Sequence, residues 1–143
     1  MLVAQLMTRD PVTVTMDVTV GQIRDLFESH KFHHLVVTEG QRVVGVISDR
    51  DLLASLSPFI GKRGERSTDA WLLERRAHQI MTRNPVCVRE TTRAAEAAAL
   101  LLAHRISCLP VVDDSSRALG IITWRDLIAW SLGQMAHTHE RAA

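Results

Sequence analysis

Two residue pairs in this chain carry a spacing suited to chemistry: Ser48-x-x-Asp51 and Thr123-x-x-Asp126. A hydroxyl residue followed three positions later by a carboxylate is the pattern of a helix capping box, in which the hydroxyl caps the helix and the carboxylate returns the bond. The same pattern can also bind a ligand. A helix N-terminus offers unpaired N–H groups and a positive dipole end to a phosphate. An ionised aspartate one turn in has acceptor capacity for both hydroxyls of a ribose. The spacing alone leaves cap and binding site both open. His33-His34 invites a metal, but adjacent strand residues point to opposite faces, and no Cys or further His follows at ligand spacing. That leaves a phosphate or ligand contact, or a structural role. Cys87 and Cys108 show neither metal-type spacing nor a disulfide framework; they read as small apolar residues of a reducing compartment. No nucleophile elbow, metal triad or Walker-type loop is present, which argues against an enzyme.

The elements that position these pairs are set by an internal repeat. Met7-Thr8-Arg9-Asp10-Pro11-Val12 returns as Met81-Thr82-Arg83-Asn84-Pro85-Val86, a shift of 74, and the same shift takes Val14 to Val88 and Leu35 to Leu109. Further on, Gly45-Val46-Ile47-Ser48-Asp49-Arg50-Asp51 returns as Gly120-Ile121-Ile122-Thr123-Trp124-Arg125-Asp126, a shift of 75. The extra residue is assigned to the turn Asp113-Asp114-Ser115-Ser116. The copies span 1–57 and 79–143, with a linker loop and helix at 58–78.

Each copy reads as β-α-β-β-α. A short strand follows the proline, Val12–Val14 or Val86–Val88. The helix after it gathers Val20, Ile23, Leu26 and Phe27, or Ala94, Ala97, Leu100 and Leu101, on one face. Thr19 with Gln22 makes a capping box at the start of the first. A hairpin runs from Leu35–Thr38 to Arg42–Ile47 around Glu39-Gly40, and from Leu109–Val112 to Ala118–Ile122 in the second copy. A last helix starts at Ser48 or Thr123 and is expected to bury Leu52, Leu53 and Leu56, or Leu127, Ile128 and Leu132. In the linker, Ser67 to Ala77 reads as helical, and Lys62, Arg63 and Arg66 as a solvated loop or a phosphate or partner contact. The expected class is α+β, with two copies sharing one core because neither closes a core alone.

Composition narrows the classes further. The 143 residues are 46% hydrophobic with a net charge of +1, which argues against a general electrostatic grip on nucleic acid. Aromatic residues are 4% and tyrosine is absent, so a base-stacking platform is not expected either. Met1 to Met7 lacks the pattern of a signal peptide. The most apolar run, Ala94 to Ala103, is too short to span a bilayer and contains Glu96. The expected location is the cytoplasm, away from membranes.

The order of these motifs, Met-Thr-x-x-Pro-Val, an amphipathic helix, His33-His34-Leu35-Val36-Val37 and then Gly-Val-Ile-Ser-x-x-Asp, resembles the CBS (cystathionine-beta-synthase) domain. The second copy is closer still, with Leu109-Pro110-Val111-Val112-Asp113 and Gly120-Ile121-Ile122-Thr123-x-x-Asp126. The chain therefore resembles a stand-alone tandem pair, covering nearly its whole length. The resemblance implies two β-α-β-β-α repeats packed with pseudo-two-fold symmetry and a regulatory, non-catalytic module that senses an adenine nucleotide. The ligand it implies is AMP, ADP or ATP, with NAD and S-adenosylmethionine as alternatives. It also implies a homodimer and a regulated protein on a separate chain. A structural dimerisation or partner-docking module without a small ligand is the competing reading.

The resemblance further implies that each of two sites in the cleft between the repeats borrows from both copies. One would use Ile121, Thr123 and Asp126, closed by Thr8, Val12, Phe32 and His33. The other would use Val46, Ser48 and Asp51, closed by Thr82, Val86, Ile106 and Ser107. The aspartate would hold the ribose, the hydroxyl residue would lie near the phosphate, and apolar side chains would sandwich the adenine. By the same pattern, residues just before the central strand lie near the phosphates of their own copy. These are His33 and His34 in the first copy, and Ser107 and Cys108 in the second. On that basis the Asp51 site is expected to favour phosphorylated nucleotides. The chain departs from the pattern where Val36 matches Pro110, and where acidic Asp49 matches bulky Trp124.

Overall fold

The computed structural model describes residues 1–56 and 70–142, with side chains described as far as Met135. The linker cations Lys62, Arg63 and Arg66, and the side chains of His137 and His139, lie outside the described residues. Seven strands are present: β1 (Thr8–Arg9), β2 (Thr13–Thr15), β3 (His34–Glu39), β4 (Arg42–Ser48), β5 (Thr82–Arg83), β6 (Cys108–Val112) and β7 (Ala118–Thr123). Five α-helices are described: α1 (Val20–Ser29), α2 (Asp49–Ser55), α3 (Ala77–Ile80), α4 (Ala94–His104) and α5 (Trp124–Ala142). Single 3-10 turns occupy Val3–Gln5 and Trp71–Glu74. The mixed α+β class expected from the repeats is the observed one.

These elements form two compact units, one of Val12–Pro85 and one of Met1–Pro11 with Val86–Ala143. In the first, the sheet order is β2-β3-β4-β5, with β2 parallel to β3 and the other pairs antiparallel. Leu35, Val36, Val37 and Thr38 are all buried, as a central strand covered on both faces requires. Helix α1 closes one face through fully buried Val20 and Ile23, in one cluster with Leu35, Val37 and Ile47. The expected cap starts it: the Gln22 N–H donates to Thr19 Oγ1 at 3.2 Å, and the Thr19 N–H to Gln22 Oε1 at 3.0 Å. Gly40, at φ +62°, supplies the left-handed residue that turns β3 into β4.

The other unit repeats this plan. Its sheet runs β1-β7-β6, and a parallel bridge of Val88 to Val111 stands where Val14 pairs with Val37 in the first unit. Ala94, Ala97 and Leu101 of α4 are buried with Leu109, Val111 and Ile122. Even the register shifts match, at Val37/Thr38 and at Val111/Val112. The residue inserted in the second hairpin falls where expected. Asp113 Oδ1 accepts the Ser115 and Arg117 N–H groups at 2.8 and 2.9 Å, and Ser116 takes φ +62°.

Three expectations are corrected. Leu52 and Leu127 are buried, but Leu53, Ile128 and Leu132 are exposed. At 100° per residue, Leu53 and Ile128 lie a quarter-turn or more from the buried row, and Leu132 lies about 140° from Leu127. One face of each last helix meets the sheet, and these three residues are off it. The linker helix over Ser67 to Ala77 is also broken in its described part: Arg75 and Arg76 are extended between the Trp71–Glu74 turn and α3. Pairing with the segment before α1 overrides the local helical spacing. The Val20 N–H donates to Arg75 O at 2.7 Å, the Ala77 N–H to Val18 O at 2.8 Å, and Arg76 Nη1 to Asp17 O at 2.7 Å. Finally, the short strand expected at Val86–Val88 is reduced to the single bridge at Val88.

Candidate functional site

The structure adds two strands that the β-α-β-β-α reading lacks, and both lead to the candidate residues. β1 runs along β7, with Thr8 opposite Ile121, and β5 runs along β4, with Thr82 opposite Val46. The leading segment of each repeat thus completes the sheet that contains the other repeat's hairpin. Glycine makes this possible. A Cβ on Gly45 would stand 2.4 Å from Met81 Sδ, and one on Gly120 would stand 2.6 Å from Met7 Sδ and 2.8 Å from the Thr8 carbonyl oxygen. The Met-Thr motif and the Gly-Val-Ile-Ser motif are therefore two sides of one contact. Asp10 and Asn84 then take left-handed φ values of 49° and 47°, a conformation those side chains tolerate better than most. Each donates its N–H to the adjoining strand, to Leu119 O and Val44 O at 3.2 Å.

Two matched sets of residues result, one in each unit. Val46, Ser48, Asp51 and Thr82 gather at the β4-to-α2 junction; Ile121, Thr123, Asp126 and Thr8 gather at the β7-to-α5 junction. Val12, Phe32 and His33, assigned with the Asp126 set, belong to the unit that holds Asp51; Val86, Ile106 and Ser107, assigned with the Asp51 set, belong to the unit that holds Asp126. Phe32 rests on Phe27, their rings 5.3 Å apart, beside the core of its own unit.

The full capping box forms at Ser48/Asp51, and its carboxylate half forms at Thr123/Asp126. The Ser48 N–H donates to Asp51 Oδ2 at 2.8 Å, and the Asp51 N–H to Ser48 Oγ at 3.1 Å. In the second unit, the Thr123 N–H and its hydroxyl both donate to Asp126 Oδ2, at 2.7 and 2.9 Å. The cap therefore uses Oδ2 in each case. Among the described residues, neither Oδ1 accepts a hydrogen bond, and both side chains are only part-buried. Each aspartate can cap its helix and still accept a hydroxyl.

The surroundings of the two boxes differ. In the first unit, His33 Nδ1 lies 2.9 Å from Asp49 Oδ2, and the Asp49 N–H donates to His33 O at 3.0 Å. Partial burial raises the Asp49 carboxyl, but the His33 bond, the Arg50 N–H and the charges of His33 and His34 outweigh it, holding the carboxyl below its ordinary value. His34 sits opposite Ser48 across the β3–β4 ladder. In the second unit, Trp124 replaces Asp49: its ring N–H donates to Ile106 O at 3.1 Å and its backbone N–H to Ser107 O at 3.3 Å. Cys108 sits opposite Thr123, as His34 does opposite Ser48. So the segment before each central strand is tied to the first residue of its own unit's last helix. The imidazole expected to face a phosphate is bonded to a carboxylate.

Among the described residues, no group of three or more His, Cys, Asp or Glu could hold a metal ion, and no helix is long and apolar enough to cross a membrane. A shallow groove between β2 and α1, lined by Thr13, Thr15, Gln22, Asp25 and Ser29, contains none of the candidate residues.

Comparison with known proteins agrees with this geometry. The CBS domain model matches residues 3–58 and 77–133. A CBS domain-containing protein of Dictyostelium discoideum is 33% identical over 89% of this chain and 88% of its own length. An inosine-5'-monophosphate dehydrogenase of Methanocaldococcus jannaschii is 32% identical over 87% of this chain, which spans only 22% of that enzyme. Among solved structures, CBSX2 in complex with AMP, a protein of Arabidopsis thaliana, superposes with a TM-score of 0.77 at 28% identity, covering 94% of this chain and 98% of the other. The CBS domain pair of protein MJ0100, in complex with 5'-methylthioadenosine and S-adenosyl-L-methionine, gives 0.79 at 23% identity over 94% and 98% of the two chains. With its two matched copies, each joining a leading Met-Thr strand to a Gly-x-x-[Ser/Thr]-x-x-Asp junction, the chain belongs to the CBS domain family as a tandem pair.

Proposed function

We propose that this chain is a regulatory module that binds an adenine nucleotide, with Asp51 and Asp126 as the ribose-binding residues of two sites. AMP, ADP and ATP are the leading ligands, with NAD and S-adenosylmethionine as alternatives. The observation that carries the reading is the half-used carboxylate: in both copies Oδ2 serves the cap and Oδ1 accepts no bond among the described residues. The likeness to CBSX2, solved with AMP, supports the ligand class. Thr8 and Thr82, on the strands beside each junction, are proposed to contact the bound nucleoside. Val12, Phe32 and His33 for one ligand, and Val86, Ile106 and Ser107 for the other, are the residues proposed to complete each site.

The competing reading, a structural or partner-docking module, draws on the junctions themselves, since each carboxylate already has a local partner there, the Ser48 N–H or the Thr123 N–H and hydroxyl, without a ligand. The exposed Leu102, Ile128, Leu132 and Met135 fit self-association, and a homodimer is part of this proposal in either case. A thermal-shift screen with the five ligands separates the readings. Ligand at 100 times its dissociation constant adds about 2.7 kcal/mol to stability. The Asp51→Ala/Asp126→Ala chain should lose that gain, at about 1.5–3 kcal/mol of binding energy per site. A double mutant that is stabilised like the wild type would assign both aspartates to capping alone.

A further inference from the structure

The two boxes are alike in backbone and unlike in charge. Around Ser48 stand His33, His34, Asp49, Arg50 and Asp51; at the matching positions around Thr123 stand Ser107, Cys108, Trp124, Arg125 and Asp126. With neutral histidines, the first group carries two carboxylates and one guanidinium, and the second carries one of each. Asp49 is the odd charge. It is 45% exposed, it adjoins the hydroxyl residue Ser48, and among the described residues its side-chain partner is His33 at 2.9 Å. Trp124, in its place, brings no charge and ties its ring N–H to Ile106 O.

We infer that Asp49 sets ligand choice: the Asp51 site selects adenosyl ligands without a phosphate, and the Asp126 site takes phosphorylated ones. This rests on the reading that the two aspartates hold ribose, and it reverses the preference that His33 and His34 suggest as sequence. A carboxylate held ionised beside Ser48 opposes a phosphate arriving at the same junction. His33 Nδ1 is held by that carboxylate at 2.9 Å, so the ring nitrogen is engaged by Asp49 instead of being offered to the ligand. Two unit charges 4 Å apart interact by about 1 kcal/mol even in bulk water, so the effect on relative affinity is roughly fivefold or more. Neutral adenosine escapes the repulsion and keeps the ribose contact.

Calorimetry with adenosine and AMP at pH 8, above the range where imidazoles usually take up a proton, tests this on single-site chains. Asp126→Ala leaves the Asp51 site, and Asp51→Ala leaves the Asp126 site; Asp→Asn at the same positions, which retains a capping oxygen, replaces either variant that fails to fold. The ratio of AMP to adenosine affinity should be roughly fivefold or more lower in the Asp126→Ala chain. Adding Asp49→Asn to it should raise that ratio to the level of the other chain. Equal ratios in the two single-site chains, or no response to Asp49→Asn, would overturn the assignment of Asp49 while leaving the nucleotide reading intact. Failure of the wild type to bind any adenosyl ligand would instead overturn the parent reading, and this one with it.

Discussion

The two units solve the same backbone problem with the same devices and then part company at a single side chain. Both lay a Met-Thr segment over a glycine, both turn at a left-handed Asp or Asn before proline, and in both the N–H of a Ser or Thr donates to the aspartate three residues on, at the start of the helix after the hairpin. After the box, one unit places an acid held by histidine and the other an indole held by a backbone carbonyl. Their last helices differ as well, seven residues in α2 against nineteen in α5. The comparison teaches that duplication conserves what the backbone cannot do without. It frees the side chain at the first helical position.

The largest test of the shared devices is at the glycines. Gly120→Ala should destabilise by about 2–3 kcal/mol and Gly45→Ala by about 1 kcal/mol. The difference has a geometric cause. The new methyl at Gly120 meets the Thr8 carbonyl at 2.8 Å, whereas at Gly45 the closest atoms belong to the movable Met81 side chain, with Thr82 O farther off at 3.1 Å. Chemical denaturation of both variants measures this, and equal losses would mean that the two strands are held differently from the picture above.

A smaller effect separates the boxes. Ser48 Oγ accepts the Asp51 N–H, whereas the Thr123 hydroxyl donates to the Asp126 carboxylate. Ser48→Ala removes a capping acceptor and should cost about 1 kcal/mol. Thr123→Val leaves the backbone bond to Asp126 in place and should cost less than about half of that. A Thr123→Val loss as large as that of Ser48→Ala would make the hydroxyls equivalent.

The smallest effect concerns Asp49. Its carboxyl is held below the ordinary value, so it binds protons less readily folded than unfolded. Its contribution is present above the unfolded pKa and is lost as the pH falls through the folded one. Wild type should therefore lose a few tenths of a kcal/mol more than Asp49→Asn between pH 5 and pH 3, an amount limited by the exposure of the pair. Parallel stability curves for the two proteins would show that the His33 bond contributes nothing to folding.

Much of this was legible because repetition doubles every signal. The hairpins, the Thr19 box and the inserted turn at Asp113–Ser116 lie in the structure where their residues indicate. Asp51 and Asp126 lie at strand-to-helix junctions, as the Ser/Thr-x-x-Asp spacing requires. The two-residue strands β1 and β5 were not legible, since two residues cannot display a period of two. The signal that would have found them is the pairing of Met7 with Gly120 and of Met81 with Gly45: a conserved bulk and a conserved absence of bulk at matched places. The exposure of Leu53, Ile128 and Leu132 was missed because an apolar residue beside the buried row counts equally in composition and not at all in packing. The His33–Asp49 bond joins residues sixteen apart in sequence, and no local pattern announces it.

The exchange of leading strands also sets an order of events. Val12–Pro85 is one unbroken stretch, so everything its sheet needs has been synthesised once Pro85 is made. The other sheet seats Thr8 and Arg9 against Ile121 and Gly120, more than a hundred residues later. Within this sheet, β1 is translated more than a hundred residues before the strand it pairs with. Closing so long a loop makes that pairing slow relative to the local hairpins. During synthesis, Thr8 and Arg9 therefore wait for their partner strand until after the whole Val12–Pro85 stretch has been made.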